Sequence, residues 1–314
     1  TFRCQDRNDN THSSHCGDLG VGQNPKLQAR VRDADLLLVI GPRMGEMTTG
    51  GYTLIDIPKP KQTMVHVHQG AEELGWVYQP ALAINAGMKI FAAALKDIAP
   101  VNVTWSDWAT SAREDYLAWT EPTTIPGDVQ MGEIMTLLNE TLDADTIVCN
   151  GAGNFSSWAN RFYHYRGYGT LQGPTSGTMG FGLPAAVAAK LTYPDRTVVA
   201  FTGDGDFLMT GQEFATAVQY GANIIVLVGN NGMYGTIRMH QERDYPGRVS
   251  GTGLVNPDFA AYAEAFGGFG AIVEKTADFA PAFEAAKQSG KPAIIEIRID
   301  PDAVSPVATL SGLR

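Results

Sequence analysis

The chain alternates short apolar runs with segments whose apolar residues recur at helical spacing. Apolar runs of four to eight residues that end at glycine or asparagine are typical of strands buried in a parallel sheet. The pattern predicts strands at 33–41, 63–68, 146–150, 197–202, 224–229 and 293–298. It predicts helices at 25–33, 83–95, 106–119, about 129–140, from Leu183 onward and at about 211–220. The predicted fold class is therefore α/β, with two doubly wound parallel sheets.

A segment rich in Pro, Thr and Gly, residues 120–128, separates the two series of elements. Its composition is that of a linker. A chain of 314 residues also exceeds the usual size of one domain. We therefore expect two domains, residues 1–120 and residues 121–314, each with its own core.

Composition and charge exclude several function classes. The formal net charge is −10 and the isoelectric point is near 5.0, so the chain would repel a nucleic-acid backbone. The sequence has no apolar run of the roughly 20 residues that a membrane helix needs, and no signal segment at its N-terminus. Its three cysteines provide no disulfide framework. We expect a cytoplasmic protein with neither a nucleic-acid nor a membrane partner.

Polar side chains follow two neighbouring strands of the second series. Asp204 comes after the strand at 197–202, and Asn231 comes after the strand at 224–229. A right-handed crossover brings the carboxyl ends of such parallel strands to one edge of the sheet, where open α/β sheets bind ligands. A carboxylate and an amide oxygen suit Mg²⁺, which completes its shell with water and substrate phosphates. This spacing predicts a site for a metal and a phosphorylated compound, although either turn alone is more often structural.

Other interpretations of these polar residues are weaker. A calcium loop beginning at Asp204 fails, because Leu208 and Met209 stand where an EF-hand needs an oxygen ligand and a glycine. Thr210 and Glu213 match a capping box that would open the helix at 211–220, which makes Glu213 structural. A zinc site is not expected, because the spacing of its candidate ligands matches no standard site. Those candidates are Cys4, His12, His15 and Cys16.

A second glycine-rich turn, residues 150–156, is only a weak match to a dinucleotide fingerprint. Ser156 replaces the third glycine, and no acidic residue follows before Asp195 to bind a ribose. The glycine amides, with Arg161 and Arg166 nearby, would instead accept a diphosphate. A Rossmann-type NAD-dependent dehydrogenase is therefore the weaker alternative.

The turn at 150–156, the small-residue stretch 175–186 and the segment 203–231 together resemble a known domain. They are similar to the diphosphate-binding domain of thiamine diphosphate (ThDP) enzymes of the acetolactate synthase and pyruvate decarboxylase family. That family's motif is Gly-Asp-Gly, an interval of nearly this length, then Asn-Asn. The resemblance covers essentially all of residues 129–314 and implies Mg²⁺ bound by Asp204, the Asn231 side chain and the Met233 carbonyl. It implies cofactor contacts from Gly153, Asn154, Gly177, Met179, Gly203, Gly205, Asp206, Gly232 and Tyr234.

The resemblance also implies two catalytic roles. Met179 would be the bulky residue that forces the two cofactor rings into a V, which presses the cofactor's amino group against the thiazolium C2. His240 stands where acetolactate synthases carry a substrate-facing Trp, so the acyl acceptor is left open.

Residues 32–43 and 65–75 resemble strands of the central domain in the same family. The resemblance implies that this first domain is truncated, without its opening strand and helix. The pyrimidine-binding domain, which supplies an activating glutamate, would then lie in another segment or chain. His68 and Gly70 stand where flavin-binding relatives have acidic residues, so FAD is not supported.

The expected function is that of a ThDP- and Mg²⁺-dependent 2-oxo-acid decarboxylase or carboligase, working as a homodimer or homotetramer. The non-enzymatic alternative is a cofactor-holding subunit or a scaffold without activity by itself. A complete family site needs the activating glutamate of the pyrimidine-binding domain, so this chain alone should be inactive.

Overall fold

The computed structural model describes residues 1–99 and 102–314. They form two compact units, one of residues 1–2 and 12–119, the other of residues 3–11 and 120–314. The segment 3–11 belongs to the second unit, where the carboxylate of Asp6 accepts hydrogen bonds from the backbone N–H groups of Gly169 and Leu171. The sequence pattern had given no sign of this exchange.

The first unit is built around a three-stranded parallel sheet. Its elements are α1 (Pro25–Asp33), β1 (Leu36–Ile40), β2 (Thr63–His68), a 3-10 helix (Ala71–Glu73), β3 (Leu82–Asn85), α2 (Met88–Leu95) and α3 (Ser106–Thr120). The strand order is β1-β2-β3, and Val65 in the central strand lies opposite Leu38 on one side and Leu82 on the other.

The predicted helix at 83–95 is wrong over its first residues. Leu82–Asn85 is strand β3, which pairs in parallel with β2, and α2 begins only at Met88 after Gly87. A short apolar run cannot be assigned to helix or strand by its periodicity alone. The free edge of β2 provides the hydrogen-bond partners that make this run a strand.

The second unit contains a six-stranded parallel sheet with helices on both faces. Its helices are a 3-10 helix (Gln5–Arg7), α4 (Met131–Thr141), α5 (Ser156–Phe162), α6 (Gly182–Thr192), α7 (Asp204–Thr210), a 3-10 helix (Gly211–Glu213), α8 (Phe214–Gln219), α9 (Gly235–Asp244), α10 (Phe259–Ala265), α11 (Thr276–Gln288) and α12 (Leu310–Leu313). Its strands are β4 (Ile147–Asn150), β5 (Leu171–Gln172), β6 (Val198–Gly203), β7 (Ile225–Asn230), β8 (Phe269–Val273), β9 (Ala293–Arg298), β10 (Ala303–Ser305) and β11 (Ala308–Thr309).

The strand order of this sheet is β5-β4-β6-β7-β9-β8, while β10 and β11 form a separate antiparallel pair. From β4 the chain moves to β5 on one side and then returns to β6 on the other. The order therefore reverses between β4 and β6, and the carboxyl ends of these two strands are where a doubly wound sheet binds its ligand.

Alternation along the strands builds a core on each face of the sheet. Val199 and Phe201 of β6 pack with α4, α5 and α11, whereas Val198 and Ala200 pack with α6, α8 and α10. Because successive side chains point to opposite faces, a strand buried on both sides is apolar at most of its positions. This is why the predicted strands at 146–150, 197–202, 224–229 and 293–298 are present.

The predicted helix at 211–220 begins later than expected, at Phe214, and the predicted capping box is wrong. The Thr210 hydroxyl donates to the carbonyl of Gly180, and Glu213 accepts from Thr216 instead of capping the helix. Residues 211–213 form a 3-10 turn before α8, because Thr210 is used in a tertiary contact.

Several elements were not predicted, notably α7 and β8. Among the residues that the structure describes, no helix has both the length and the apolar composition needed to cross a membrane.

Candidate cofactor and metal site

A cleft lies at the carboxyl ends of β4, β6 and β7. Its empty volume is about 530 Å³, which includes the part that is open to solvent. Its lining includes residues 152–155 after β4, Met179 before α6, residues 203–206 at the end of β6, and Asn231 and residues 233–237 after β7. The cleft therefore sits at the point where the strand order reverses.

Asp204 is the first residue of α7 and is almost completely buried. Its Oδ1 accepts from the backbone N–H of Gly205 at 2.8 Å. Its Oδ2 accepts from the backbone N–H of Gly232 and from the side-chain amide of Asn256, each at 2.8 Å. Burial raises the pKa of the Asp204 carboxyl, and these hydrogen bonds act in the opposite direction. One carboxylate thus connects the ends of β6 and β7.

The site offers oxygen ligands for a cation. Gly232 and Asn256 donate to Oδ2 of Asp204 and Gly205 donates to Oδ1, so Oδ1 is the less occupied oxygen of these two. Asn231 also lines the cleft, and its Oδ1 accepts a long bond of 3.3 Å from the N–H of Met233. Hard oxygen donors of this kind suit Mg²⁺.

The charge of the cleft lining also favours a bound cation. Asp204 and Asp206 are the charged side chains in the lining, and none of the described Lys, Arg or His residues contributes to it. A diphosphate entering such a cleft would meet negative charge, so a divalent cation must accompany it. The residues present therefore fit a diphosphate bound through Mg²⁺.

Asp206, one residue beyond the Gly-Asp-Gly turn, joins three segments of the site. Its carboxylate accepts from the N–H groups of Ala152 at 3.1 Å and Gly180 at 2.9 Å, and from the Thr202 hydroxyl at 2.5 Å. A Cβ added at Gly151 would lie 2.0 Å from Asp206 Oδ2, so only glycine fits there. The buried carboxylate thereby holds the turn after β4 and the loop before α6 against β6.

Glycines allow aromatic rings to approach the backbone around the cleft. A Cβ at Gly205 would lie 2.6 Å from the ring of Tyr234, and a Cβ at Gly203 would lie 2.6 Å from the ring of Phe155. A Cβ at Gly153 would lie 2.8 Å from the same phenyl ring. These three positions cannot carry a side chain without displacing an aromatic residue that lines the cleft.

The turn after β4 is fastened to the first turn of α9. The N–H of Asn154 donates to the Thr236 hydroxyl at 2.9 Å, and that hydroxyl donates to Asn154 Oδ1 at 3.0 Å. Thr236 and Asn256 are site residues that sequence reasoning missed. The capacity of Thr and Asn side chains to bond backbone and carboxylate groups was the only available signal, and it is shared by most polar loops.

The structure brings most of the predicted site residues together in the cleft. Those that line it are Gly153, Asn154, Met179, Gly203, Asp204, Gly205, Asp206, Asn231, Met233 and Tyr234. Gly177, Gly232 and His240 lie outside this lining. Gly177 has a φ of +70° and lies next to Arg3, while Gly232 has a φ of +69° and donates to Asp204. His240 is exposed on α9, one turn beyond Ile237, which does line the cleft.

The two arginines considered as diphosphate partners make other contacts. Arg166 donates to the carbonyl of Leu142, and Arg161 donates to the carbonyl of Pro306. Burial lowers the pKa of Arg161 to about 10. Within the described residues, no cluster of three or more His, Cys, Asp or Glu side chains is arranged to hold a metal. A magnesium site built from one carboxylate, one amide and one backbone carbonyl is compatible with that result.

Two family models match this chain. The model described as thiamine pyrophosphate enzyme, C-terminal TPP binding domain, matches residues 151–297. The model described as thiamine pyrophosphate enzyme, central domain, matches residues 1–95. Thiamine pyrophosphate (TPP) is another name for ThDP.

Curated relatives include several acetolactate synthases. The large subunit from Parasynechococcus marenigrum is 29% identical over 294 residues, covering 90% of this chain and 46% of that protein. The acetolactate synthase of Mycobacterium avium is 31% identical over 309 residues, covering 93% and 49%. The isozyme 2 large subunit of Escherichia coli is 28% identical over 290 residues, covering 91% and 52%. The chain spans about half the length of these relatives.

Both family models describe domains of one group of enzymes, and together they match more than half of the chain. The α/β fold of both units is consistent with that family. The protein therefore belongs to the thiamine pyrophosphate enzyme family and is similar to the acetolactate synthases within it.

Proposed function

We propose that the cleft binds ThDP through Mg²⁺, and that the assembled enzyme decarboxylates a 2-oxo acid or transfers its acyl fragment to an acceptor. The observation that carries this proposal is the cleft at the point of strand reversal, whose charged lining side chains are the carboxylates of Asp204 and Asp206. Such a lining accepts a diphosphate only together with a divalent cation. The acetolactate synthases to which the chain is similar support the substrate class.

The proposal gives the predicted site residues the following roles. Asp204 Oδ1, Asn231 Oδ1 and the Met233 carbonyl hold the metal. Gly203 and Gly205 let the backbone approach the diphosphate. The bulk of Met179 sets the cofactor's shape, and His240 faces the substrate from the next turn of α9. When bound, ThDP supplies an electron sink for cleavage of the bond next to a carbonyl.

We propose further that residues 1–120 are the central domain and residues 121–314 the diphosphate-binding domain. A pyrimidine-binding domain from another segment or chain would complete the site within a homodimer or homotetramer. The dehydrogenase alternative has lost its basis, because the chain belongs to the TPP enzyme family. The decarboxylation assay with and without a pyrimidine-binding domain distinguishes the scaffold alternative from a competent enzyme.

The first test concerns the metal. Asp204→Ala should abolish the magnesium-dependent part of ThDP binding, because it removes the anionic ligand, and Asn231→Ala should weaken it less. Calorimetric titration measures both, with the exposed Asp143→Ala as the matched control. For the unaltered chain, ligand at 100 times its dissociation constant should stabilise the fold by about 2.7 kcal/mol. Unchanged affinity in Asp204→Ala would remove the metal assignment.

The second test concerns Met179, whose proposed role needs bulk and no functional group. Met179→Leu should keep turnover, and Met179→Gly should lose turnover more than it loses metal-dependent ThDP binding. Turnover is measured with the pyrimidine-binding domain present. Equal turnover in all three proteins would make Met179 an ordinary packing residue.

The third test measures what a pyrimidine-binding domain adds. Decarboxylation of pyruvate or a related 2-oxo acid is followed with ThDP and Mg²⁺, with and without that domain. Acid-base assistance of the kind it would supply contributes roughly 10²- to 10⁴-fold to a rate. Activity that appears only with the added domain identifies a half-enzyme. ThDP binding without activity in either case identifies a cofactor-holding scaffold.

A further inference from the structure

A short segment, residues 252–256, runs beside the proposed metal ligands; we call it the strap. The N–H of Tyr234 donates to the carbonyl of Thr252 at 2.9 Å, and the N–H of Leu254 donates to the carbonyl of Gly232 at 2.8 Å. Between these bonds, Met233 and Gly253 form an isolated antiparallel bridge. The strap therefore holds the backbone on both sides of Met233, whose carbonyl is a proposed ligand.

The strap ends at Asn256, whose side-chain amide reaches into the site. Its Nδ2 donates to Asp204 Oδ2 and to Asn230 Oδ1, each at 2.8 Å. An amide nitrogen carries two hydrogens, so both are used. Asn256 Oδ1 is buried and has no hydrogen-bond partner in the described part of the chain. The two donated bonds are therefore the polar contacts that hold this side chain in place.

The orientation of this amide is determined by its neighbours. Asn230 Nδ2 donates to Glu296 Oε1 at 2.9 Å, so Asn230 must present its oxygen to Asn256. Glu296 is almost completely buried and also accepts from the N–H of Phe259 at 3.2 Å and from Arg298 Nε at 3.1 Å. A chain of hydrogen bonds thus runs from Glu296 through Asn230 and Asn256 to Asp204. Reversing either amide would place two donors or two acceptors face to face.

This chain of bonds decides which oxygen of Asp204 can bind a cation. Oδ2 accepts two of these hydrogen bonds, from Gly232 and Asn256, whereas Oδ1 accepts one, from Gly205. The carboxylate is therefore held in one rotation, with Oδ1 left for the metal. Loss of the Asn256 bond would leave Oδ2 with the single bond from Gly232 and hold the carboxylate less firmly.

We propose that Asn256 is a positioning residue for the magnesium site: it orients the Asp204 carboxylate so that Oδ1 alone faces the cation. This inference rests on the proposed function, because it concerns the same site. Outer-shell partners of this kind typically contribute 10- to 100-fold to metal affinity. Mg²⁺ demands near-ideal octahedral geometry, whereas Ca²⁺ accepts irregular coordination. A residue that acts by orientation should therefore matter more for Mg²⁺ than for Ca²⁺.

The experiment is calorimetric titration of Mg²⁺, and separately of Ca²⁺, into the full chain at saturating ThDP. Asn256→Ala and Asn256→Leu both remove the donor, and leucine keeps the branched shape of asparagine. Both variants should bind Mg²⁺ 10- to 100-fold more weakly, with a smaller loss for Ca²⁺. Asn223→Leu, an exposed asparagine just before β7, is the matched control and should bind like the unaltered chain. Thermal unfolding without ligand verifies that each variant folds.

The outcomes separate this inference from the proposed function. Mg²⁺ affinity in Asn256→Leu equal to that of the unaltered chain would overturn the inference but not the proposed function. It would mean that a side chain of this shape at position 256 is enough, without the hydrogen bond to Asp204. Equal losses of Mg²⁺ and Ca²⁺ affinity would also overturn it, because they indicate a general structural role. Absence of metal-dependent ThDP binding in the unaltered chain would overturn the proposed function and the inference with it.

Discussion

The two parallel sheets of this protein are built from similar apolar runs but differ in how they are covered. Every residue of β6 is buried, because helices pack on both faces of the six-stranded sheet. In β1, by contrast, Leu36, Leu38 and Ile40 are 54%, 51% and 42% exposed. Leu82 of β3 lies on the same face and is 52% exposed. An apolar run thus predicts a strand that can be buried, and its neighbours decide whether it is.

The other face of the first sheet does have a core. Val39 and Met64 pack there with Leu54, Ile55 and Tyr78. The first unit is therefore covered on one side of its sheet and the second unit on both. This contrast predicts that equivalent changes in the two sheets have different effects on stability.

The largest difference is expected for truncation of a strand side chain. Phe201→Ala should lower the free energy of unfolding by about 3–5 kcal/mol, because the ring is 1% exposed and its removal leaves a cavity. Leu38→Ala should cost less than about 1 kcal/mol, because half of that side chain is already in water. Denaturant unfolding followed by circular dichroism measures both. Equal losses at the two positions would contradict the comparison.

The second difference concerns two carboxylates that each bind two cationic side chains. In the second unit, Glu242 accepts from the N–H of Gly247 and from Arg314 and Arg238, and these bonds hold its pKa at about 2. In the first unit, Lys26 and Arg30 lower the pKa of Asp115, whose side chain is 19% exposed against 1% for Glu242. Glu242→Gln should therefore lower the denaturation midpoint at pH 7 more than Asp115→Asn does.

The dependence on pH follows from the depressed pKa of Glu242. Its folded pKa of about 2 lies below the ordinary value of 4.5, so its stabilisation is complete above the ordinary value. The stabilisation is lost as the pH falls from about 4.5 toward 2. The gap between the unaltered chain and Glu242→Gln should close over that range in denaturation curves. A gap that does not change with pH would show that the ion pairs contribute little.

The smallest effect on stability is expected for the exposed apolar face itself. Leu38→Lys should leave the free energy of unfolding within about 0.5 kcal/mol, because the side chain is largely solvated. It should nevertheless reduce self-association, since contiguous exposed apolar surface favours it. Light scattering against concentration measures this, with Leu191→Lys on α6 as control, at a position 49% exposed. Equal reductions of self-association by both variants would mean that this face of the sheet contributes no more to self-association than any other exposed apolar position.

Much of the candidate site could be predicted from the sequence because the proposed metal ligands follow strands. Asp204 and Asn231 come directly after apolar runs, and parallel strands bring their carboxyl ends to one edge. The structure confirms that both residues line one cleft. Asn256 could not be found in this way. It lies in a segment without apolar periodicity, and only the pairing of the strap with residues 232–234 brings it to Asp204.

The contacts of Asp206 also could not be predicted from the sequence. The sequence resemblance places it beside the diphosphate, whereas its oxygens in the structure accept from Ala152, Gly180 and Thr202. These partners come from three separate stretches of the chain. Their convergence depends on close packing, which no local pattern encodes.

By itself, the sequence determined the apolar runs of the two sheets, their succession along the chain and the polar side chains that follow the strands. These features depend on neighbouring residues, through side-chain alternation and turn chemistry. Only the tertiary structure decided which sheet faces are covered and which groups donate hydrogen bonds to Asp204. Burial and hydrogen-bond pairing require partners distant in the chain, so they exist only after the elements have packed.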